Sequence, residues 1–448
     1  MTLHPHGDEP TIPPVPSPLP TATVVPEAVE KEAAAAAGQP KVGARYIWLM
    51  VLAQFGVFLA FITPIAISLA IRVQDLAPGH EEYLGYITGA GALVVMITGP
   101  FLGVASDRTR TRFGRRRPFM IVGTALGVLS LIVMALAPTV PILGIGWILA
   151  QLGWGQVLAN LQISTADRLP EFQRGKVAGL TGFATQIAPV FGVIIASGLT
   201  GDPLLLFLVP GIVGVVLVAA FVLFVHEDDS RGNRFSERIT VVSLLGKYVY
   251  KPSHYPDFSW NWLGRFLFFF GLTLNTSYTA YFFSSRLDIP VAEIGGTVAI
   301  VGGIGILGTI AGVFAGGFLS DKIRRRKPFV LGSGILFGIG ALIMVTAPDF
   351  TLLLVGSFLC NISIGVFSAV DQALFLDVLP ERDTEAGRFI NITQFATTIP
   401  QALAPIGASV ILSIGAVGGD KNYAMLYVAA AIFTVIGGFV VLKVKSVR

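Results

Sequence analysis

The sequence predicts an all-α integral membrane protein with twelve transmembrane helices in two pseudo-symmetric six-helix bundles. The chain has 448 residues, of which 53% are hydrophobic and only 13% are charged. Its apolar segments repeatedly exceed the roughly 18 residues that mark a membrane-spanning helix. Several short motifs of the first half also recur in the second half at a nearly constant offset, which indicates a duplicated unit.

The first 45 residues are predicted to form a disordered cytoplasmic tail, 1–45. They hold nine of the 27 prolines and the alanine run from Ala33 to Ala37, with almost no large apolar side chain. Such a composition buries too little apolar surface to fold. The segment also lacks the charged start, apolar core and cleavage site of a signal peptide, so we expect the first apolar segment to remain in the protein.

Charged or Pro/Gly-rich breaks divide the rest of the chain into twelve apolar segments. The predicted helices are 46–71, 84–106, 118–138, 142–166, 176–200, 204–225, 258–284, 294–319, 328–347, 351–377, 387–415 and 423–444. The longest polar connector separates the sixth helix from the seventh. We therefore predict a first bundle over 46–225, a cytoplasmic linker over 226–257 and a second bundle over 258–444.

The two halves carry matching motifs about 210 residues apart. The matches are RRRPF at 115–119 with RRKPF at 325–329, Ala137-Pro138 with Ala347-Pro348, and DRLPE at 167–171 with DVLPE at 377–381. Three matches at one offset predict parallel repeats, each of six helices.

The basic residues predict the orientation in the membrane. When the tail and every second loop are placed on one side, 27 of the 31 lysines and arginines lie there. The positive-inside rule makes that side cytoplasmic, so both termini are expected in the cytosol and the protein in the cytoplasmic (plasma) membrane. We expect a monomer whose partners are the lipid bilayer, a small solute and protons.

Composition argues against other functional classes. The single cysteine, Cys360, lies in an apolar segment and cannot form an internal disulfide, and no histidine lies within a predicted helix core. We therefore predict no metal site, no cofactor and no enzyme. The net charge of +4 is spread over loops between apolar segments and not over a soluble basic face, which argues against nucleic-acid binding.

The densest basic segment is GVASDRTRTRFGRRRPF at 103–119, in the loop between helices 2 and 3, with six arginines and one aspartate. A signal for topology needs only positive charge, whereas this loop also contains an ordered Asp, Gly and Pro. Pro118 suits the first turn of helix 3 because its missing N–H costs nothing there. Asp107 can face both the arginines and the positive end of a neighbouring helix, which predicts a contact that forms and breaks as helices move.

This loop resembles the signature of the major facilitator superfamily: Gly, three residues, Asp, a basic residue, a spacer, Gly and two basic residues. The matching positions are Gly103, Asp107, Arg108, Gly114, Arg115 and Arg116. The second half has a degenerate copy with Asp321 and Lys322, in which Arg324 replaces the glycine. Over residues 46–444 the resemblance implies two bundles that rock about a central cavity lined mainly by helices 1, 4, 7 and 10. The loop is expected to stabilise one access state.

The long spacer in the loop and the stretch QFGVFLAFITPIAISLAI at 54–71 resemble the sucrose transporters and the glycoside:cation symporters. This resemblance implies secondary transport of a sugar or glycoside. The chain departs from it in three places: helix 1 has Gln54 where a charge is usual, helix 4 has no arginine before Arg168, and helix 2 has no acid before Asp107. The missing acid in helix 2 argues against sodium coupling at a site in that helix.

A second hypothesis is a proton-coupled exporter of drugs or metabolites in the same superfamily. Helix 5 approximates the pattern of superfamily antiporters at Gly179, Pro189 and Gly192, although Ala188 replaces a glycine. The arginine that is typical of helix 4 in those exporters is missing.

Two ionisable residues lie well inside predicted helices, Arg265 in helix 7 and Asp371 in helix 10. Such a residue costs roughly 2.5–3.5 kcal/mol on insertion scales and is a functional candidate by default. At 1.5 Å per residue both lie roughly 10 Å from the cytoplasmic helix ends. If helices 7 and 10 both line the cavity, as the resemblance implies, the two can form an ion pair. Either the pair is a permanent structural salt bridge, or Asp371 takes up a proton and frees Arg265 to bind substrate oxygens.

Polar residues in the helices complete the set of candidates. The predicted substrate-binding residues besides Arg265 are Gln54, Asn160, Gln162, Asn275 and Gln372, whose amides suit a polyhydroxylated ligand. The alternative for each is a hydrogen bond between helices. Asp167 and Asp377 close the cytoplasmic ends of helices 4 and 10 and are predicted to act with the signature loops as gating residues. The alternative is that these carboxylates are only solvated.

Overall fold

The computed structural model describes residues 41–225, 229–231, 250–381, 385–414 and 421–447. Across these residues the secondary structure is helical, without a β-strand. The predicted tail lies outside the described residues up to 40, and so does most of the predicted linker, 226–228 and 232–249. The predicted domain boundaries at these segments therefore stay predictions.

Within the described residues 41–225, six helices form the first half. They are α1 (Ala44–Leu76, π-helical over Pro64–Ser68), α2 (Glu82–Arg108), α3 (Arg117–Leu136), α4 (Val140–Arg168), α5 (Glu171–Ser197) and α6 (Pro203–Phe224). The π-helical segment begins at a proline, which lacks the N–H that would continue the α-helical hydrogen-bond pattern.

The second half repeats this order. Its helices are α7a (Pro256–Ser277), α7b (Thr279–Leu287), α8 (Gly295–Ile323), α9 (Lys327–Thr346), α10 (Phe350–Asp377), α11 (Ala386–Ser413) and α12 (Tyr423–Val441). Eleven of the helices described, all except the two parts of α7, are long and apolar enough to cross a membrane. The fold class predicted from the sequence is confirmed.

The seventh helix differs from the continuous segment 258–284 that the sequence predicts. It is interrupted at Tyr278, which has φ −124° and ψ 23°. The hydroxyl of Ser277 donates to the carbonyl of Thr273, at 2.6 Å, and that of Thr279 donates to the carbonyl of Asn275, at 3.3 Å. Side chains that bond the backbone in this way bend helices, and the Tyr278 hydroxyl is anchored to other helices. The periodicity of apolar residues carries no sign of this break.

The internal repeat is also visible in the backbone. Gly114, before α3, has φ 87°, and Arg324, before α9, has φ 54°. The left-handed conformation costs a residue other than glycine roughly 1–2 kcal/mol. The second half therefore keeps the turn of the signature loop although its glycine has been replaced.

Equivalent helices pack closely through glycines in both halves. A Cβ atom added to Gly214 of α6 would lie 2.6 Å from the Gly56 oxygen of α1, and one added to Gly437 of α12 would lie 2.8 Å from the Gly264 oxygen of α7a. Small residues let the backbones of membrane helices approach this closely.

The two halves meet through α2 with α11 and through α5 with α8. We call the side that carries the α2–α3 and α8–α9 loops the basic side. Near the opposite side, a Cβ atom on Gly85 of α2 would clash with the Pro405 carbonyl of α11. Towards the basic side, Gly99 and Gly103 of α2 have open space where a Cβ would stand. The halves are thus closed against each other on the opposite side and separate towards the basic side.

Candidate functional site

A cavity of about 640 Å³ lies between the two halves. This volume falls within the roughly 300–1,000 Å³ of pockets that hold small ligands. Its polar lining consists of amides and hydroxyls: Thr88, Gln186, Thr273, Thr276, Ser277, Thr279, Thr309, Asn361 and Gln401. No charged side chain is among the described residues that line it. The cavity therefore suits a neutral polar molecule.

The hydroxyls of this cavity offer mainly hydrogen-bond acceptors. Thr273 donates its hydroxyl proton to the Phe269 carbonyl at 2.7 Å, and Thr276 donates to the Leu272 carbonyl at 3.0 Å. A hydroxyl that has donated its proton keeps lone pairs that can accept. The wall thus complements a ligand that is rich in O–H donors.

Three amides lie near the middle of their helices and line the same cavity, namely Gln186 of α5, Asn361 of α10 and Gln401 of α11. Asn361 donates its Nδ2 to the Ser357 carbonyl at 2.9 Å, whereas Gln186 and Gln401 have exposed side chains. Sequence reasoning missed all three. A signal was present, because the tripeptide Phe-Ala-Thr occurs at 183–185 and at 395–397, shortly before the two glutamines.

The first half contributes an aromatic wall to the cavity. The rings of Phe61 in α1 and Trp147 in α4 stack with centroids 5.5 Å apart and planes 13° apart. Trp147 is fully buried and Phe61 is half-buried, and both line the cavity. Phe61 therefore offers a ring surface that Trp147 supports from within the fold.

The two embedded charges form the ion pair that the sequence predicts as one possibility. Arg265 Nη1 lies 3.2 Å from Asp371 Oδ2, and Asn261 donates its Nδ2 to Asp371 Oδ1 at 3.2 Å. The Asp371 side chain is 2% exposed and that of Arg265 is 16% exposed. The Arg265 guanidinium lies 5.8 Å from the centroid of the Phe269 ring, which lines the cavity. The pair therefore borders the cavity and does not line it.

The other predicted substrate-binding residues do not line the central cavity. Gln54, Asn160 and Asn275 are buried, and the side chains of Gln162 and Gln372 are exposed outside it. Asn160 Oδ1 accepts a hydrogen bond from the Ser106 hydroxyl at 2.7 Å, so this amide joins α4 to α2. Their role in substrate binding stays a prediction.

Two smaller pockets continue from the central cavity towards the basic side. A pocket of about 290 Å³ between α2, α4 and α11 shares Gln401 with the cavity. A pocket of about 130 Å³ between α2 and α4 shares Gln151 with the preceding one and reaches Ser106 and Asn160. Polar side chains thus connect the cavity with the signature loop.

The predicted gating residues of the first half meet at Arg116, whose side chain is 3% exposed. Its Nη2 lies 2.6 Å from Asp107 Oδ1 and 3.6 Å from Asp167 Oδ2, and its Nη1 donates to the Ser106 hydroxyl at 3.0 Å. Arg115 Nη2 lies 2.7 Å from Asp167 Oδ2. This cluster ties the ends of α2, α3 and α4 together.

The second half repeats the cluster in a looser form. Arg326 Nε lies 3.1 Å from Asp377 Oδ2, and its Nη2 lies 3.9 Å from Asp321 Oδ1, with 24% of the Arg326 side chain exposed. The side chain of Lys322 is exposed, Arg108 and Gly103 are half-buried, and Gly114 supplies the left-handed turn. The gating role of these residues stays a prediction.

The difference in burial predicts unequal effects of two equivalent substitutions. We expect Arg116→Gln to lower the free energy of unfolding by about 1–3 kcal/mol, because several charge-assisted hydrogen bonds are lost. Arg326→Gln is expected to change it by no more than about 1 kcal/mol, as for exposed ion pairs. Thermal unfolding of both purified variants in one detergent measures this, and equal losses would contradict it.

Over the described residues, the geometry thus combines twelve helices in two repeated halves, a cavity between them and a basic signature loop. The sequence profile of the Major Facilitator Superfamily matches residues 47–313 and 262–447. The chain belongs to the Major Facilitator Superfamily. Among the described residues of this superfamily protein, no group of three His, Cys, Asp or Glu is placed to hold a metal ion.

Curated relatives match short stretches of the chain. The General alpha-glucoside permease of Schizosaccharomyces pombe is 37% identical over 86 residues, which are 19% of this chain and 14% of the permease. Probable polyol transporter 4 of Arabidopsis thaliana is 30% identical over 93 residues, which are 21% of this chain and 17% of that protein. The matches therefore span less than a fifth of the length of these two relatives.

Solved structures match nearly the whole chain. The nucleoside transporter NupG has a TM-score of 0.72 at 12% identity, with 89% of this chain and 98% of that chain covered. The D-xylose-proton symporter has a TM-score of 0.67 at 16% identity, with 89% and 97% covered. At these identities the likeness shows the shared transporter fold alone.

Proposed function

We propose that the protein is a secondary active transporter that moves a neutral sugar or glycoside across the cytoplasmic membrane by alternating access, coupled to protons. The observation that carries the proposal is the uncharged, acceptor-rich cavity between the halves, bordered by a buried ion pair. The names of the curated relatives, an alpha-glucoside permease and a probable polyol transporter, support this substrate class.

Asp371 is the proposed proton site. As a carboxylate it is held by Arg265 and Asn261, and leaving a single charge unpaired in this environment costs several kcal/mol. A proton on Asp371 removes the ionic attraction and releases the guanidinium next to the cavity. Proton uptake and substrate binding then favour each other, which is the condition for coupling.

The basic side is the cytoplasmic side in this proposal. The halves are closed on the opposite side and open towards the signature loops, so this conformation is the inward-open one. The loop clusters around Arg116 and Arg326 lie on the open side and hold together the helix ends within each half.

The proposed function is tested by flux into proteoliposomes at a fixed pH gradient. We expect uptake of at least one compound in a panel of neutral sugars and glycosides, driven by an inward proton gradient and abolished by a protonophore. A panel of cationic drugs serves as the comparison, because an uncharged cavity offers a cation no counter-charge. Transport of cationic drugs without transport of any glycoside would overturn the proposal in favour of an exporter.

A further inference from the structure

Resting on the proposed function, we infer that the substrate is an amphiphilic glycoside, whose sugar faces the second half of the protein and whose apolar ring faces the first half. The inference concerns the division of the central cavity into two chemically different walls. A simple polyol would match one of these walls only.

The more polar wall belongs to the second half, which also contributes apolar residues such as Phe269, Leu272 and Ile364. Seven of the nine polar residues that line the cavity lie on α7, α8, α10 and α11. Their hydroxyls donate to their own helices and so present lone pairs, and Asn361 and Gln401 add amides. Sugar hydroxyls, which are donors, are the groups that this wall complements.

The more apolar wall belongs to the first half, where Thr88 and Gln186 are the two polar residues among the described residues that line the cavity. Five apolar residues of α1 line the cavity, and Phe61 among them stacks on the buried Trp147 of α4. A sugar bears hydroxyls on every side. Those that contact this wall would lose their hydrogen bonds to water and gain none from the protein. An apolar ring instead gains from burial and from stacking on Phe61.

The size of the cavity agrees with two linked rings. Its volume of about 640 Å³ lies in the middle of the range for drug-sized ligands. A ligand that spans the cavity also touches both halves at once. Binding of such a ligand then affects the relative position of the halves. A ligand that contacts one wall alone does not have this effect.

The test compares methyl and phenyl glycosides of glucose, galactose and xylose, in both anomers, for binding to the purified full-length protein. We expect the phenyl compound of the recognised sugar to bind at least about thirtyfold more tightly than its methyl counterpart, the low end of the burial of a ring plus its stacking. Equal affinities would overturn the inference. Absence of binding by every compound would instead count against the proposed function itself.

Variants of Phe61 test whether its ring causes the preference for phenyl over methyl glycosides. In Phe61→Ala and in Phe61→Leu, which keeps apolar bulk without a ring, we expect the preference for phenyl over methyl to fall by a factor of about 2–12, the contribution of ring stacking. The affinity for the methyl glycoside should fall by less than the affinity for the phenyl glycoside, because the methyl compound has no ring to stack on Phe61. Phe55→Ala is the matched control, because Phe55 is a half-buried ring of the same helix that pairs with Phe191 and does not line the cavity. A preference that is undiminished in both Phe61 variants would overturn the inference.

Discussion

Replacing Asp371 with asparagine is expected to abolish proton-driven accumulation of the solute while downhill exchange continues. Asparagine keeps the shape of the side chain and its contact with Asn261 but cannot take up or release a proton in the working pH range. The conformational cycle then runs without a coupled proton. We expect the ratio of internal to external solute to fall to about one, because no gradient drives it.

Uptake and counterflow in proteoliposomes at several pH values measure both properties in one preparation. Asp349→Asn is the matched control, because Asp349 lies at the other end of the same helix and caps the Leu352 N–H at 2.9 Å. It removes a carboxylate without touching the cavity. A pH dependence of uptake that is unaltered in Asp371→Asn would contradict the assignment.

The double variant Arg265→Gln with Asp371→Asn separates coupling from a purely structural salt bridge. Arg265→Gln alone is expected to destabilise the protein by about 3–5 kcal/mol, because it leaves a buried carboxylate without its partner. The double variant removes both charges and should recover most of that stability. If the pair is only structural, the double variant also recovers accumulation; if Asp371 carries the proton, accumulation stays lost.

The second large effect is expected for Gly85→Ala in α2. An added methyl group would clash with the Pro405 carbonyl and with the hydroxyls of Ser409 and Tyr278. The Gly85 N–H also donates to the Tyr278 hydroxyl at 3.0 Å, and that hydroxyl lies 2.8 Å from the Ser409 hydroxyl. Overpacking costs roughly 1–3 kcal/mol, and this cost arises only in the conformation in which α2 and α11 touch. The conformation that is closed on the opposite side is therefore disfavoured by roughly 5–150-fold relative to the conformation that is open there.

Cysteine labelling measures this shift. A cysteine at Thr276, which lines the cavity, is treated with an impermeant maleimide from the side opposite the basic loops. We expect faster labelling in Gly85→Ala, with little background from Cys360, which is 4% exposed. Gly99→Ala, in the same helix with open space around its Cβ, is the control. Labelling rates that are equal in the two variants would contradict the predicted gate.

Several features of the site could be predicted from the sequence because their signals are local. The ion pair of Arg265 and Asp371 follows from two charges at similar depth in apolar segments, together with the resemblance that places helices 7 and 10 at the cavity. The cluster around Arg116 follows from the order of Asp, Gly and basic residues in one loop. The amides of the cavity could not be predicted in the same way. The sequence of an apolar helix does not show whether a glutamine faces a cavity or a neighbouring helix.

The sequence by itself determined the membrane class, the twelve helical segments, their repeat and the signature loop, because segment length, charge and spacing are properties of the linear chain. Only the tertiary structure decided which faces of the helices meet. Successive residues of a helix turn by about 100°, so the rotation of each helix, set by packing, decides what lines the cavity. That rotation buries Gln54 and Asn160 between helices and brings Gln186, Asn361 and Gln401 to the cavity.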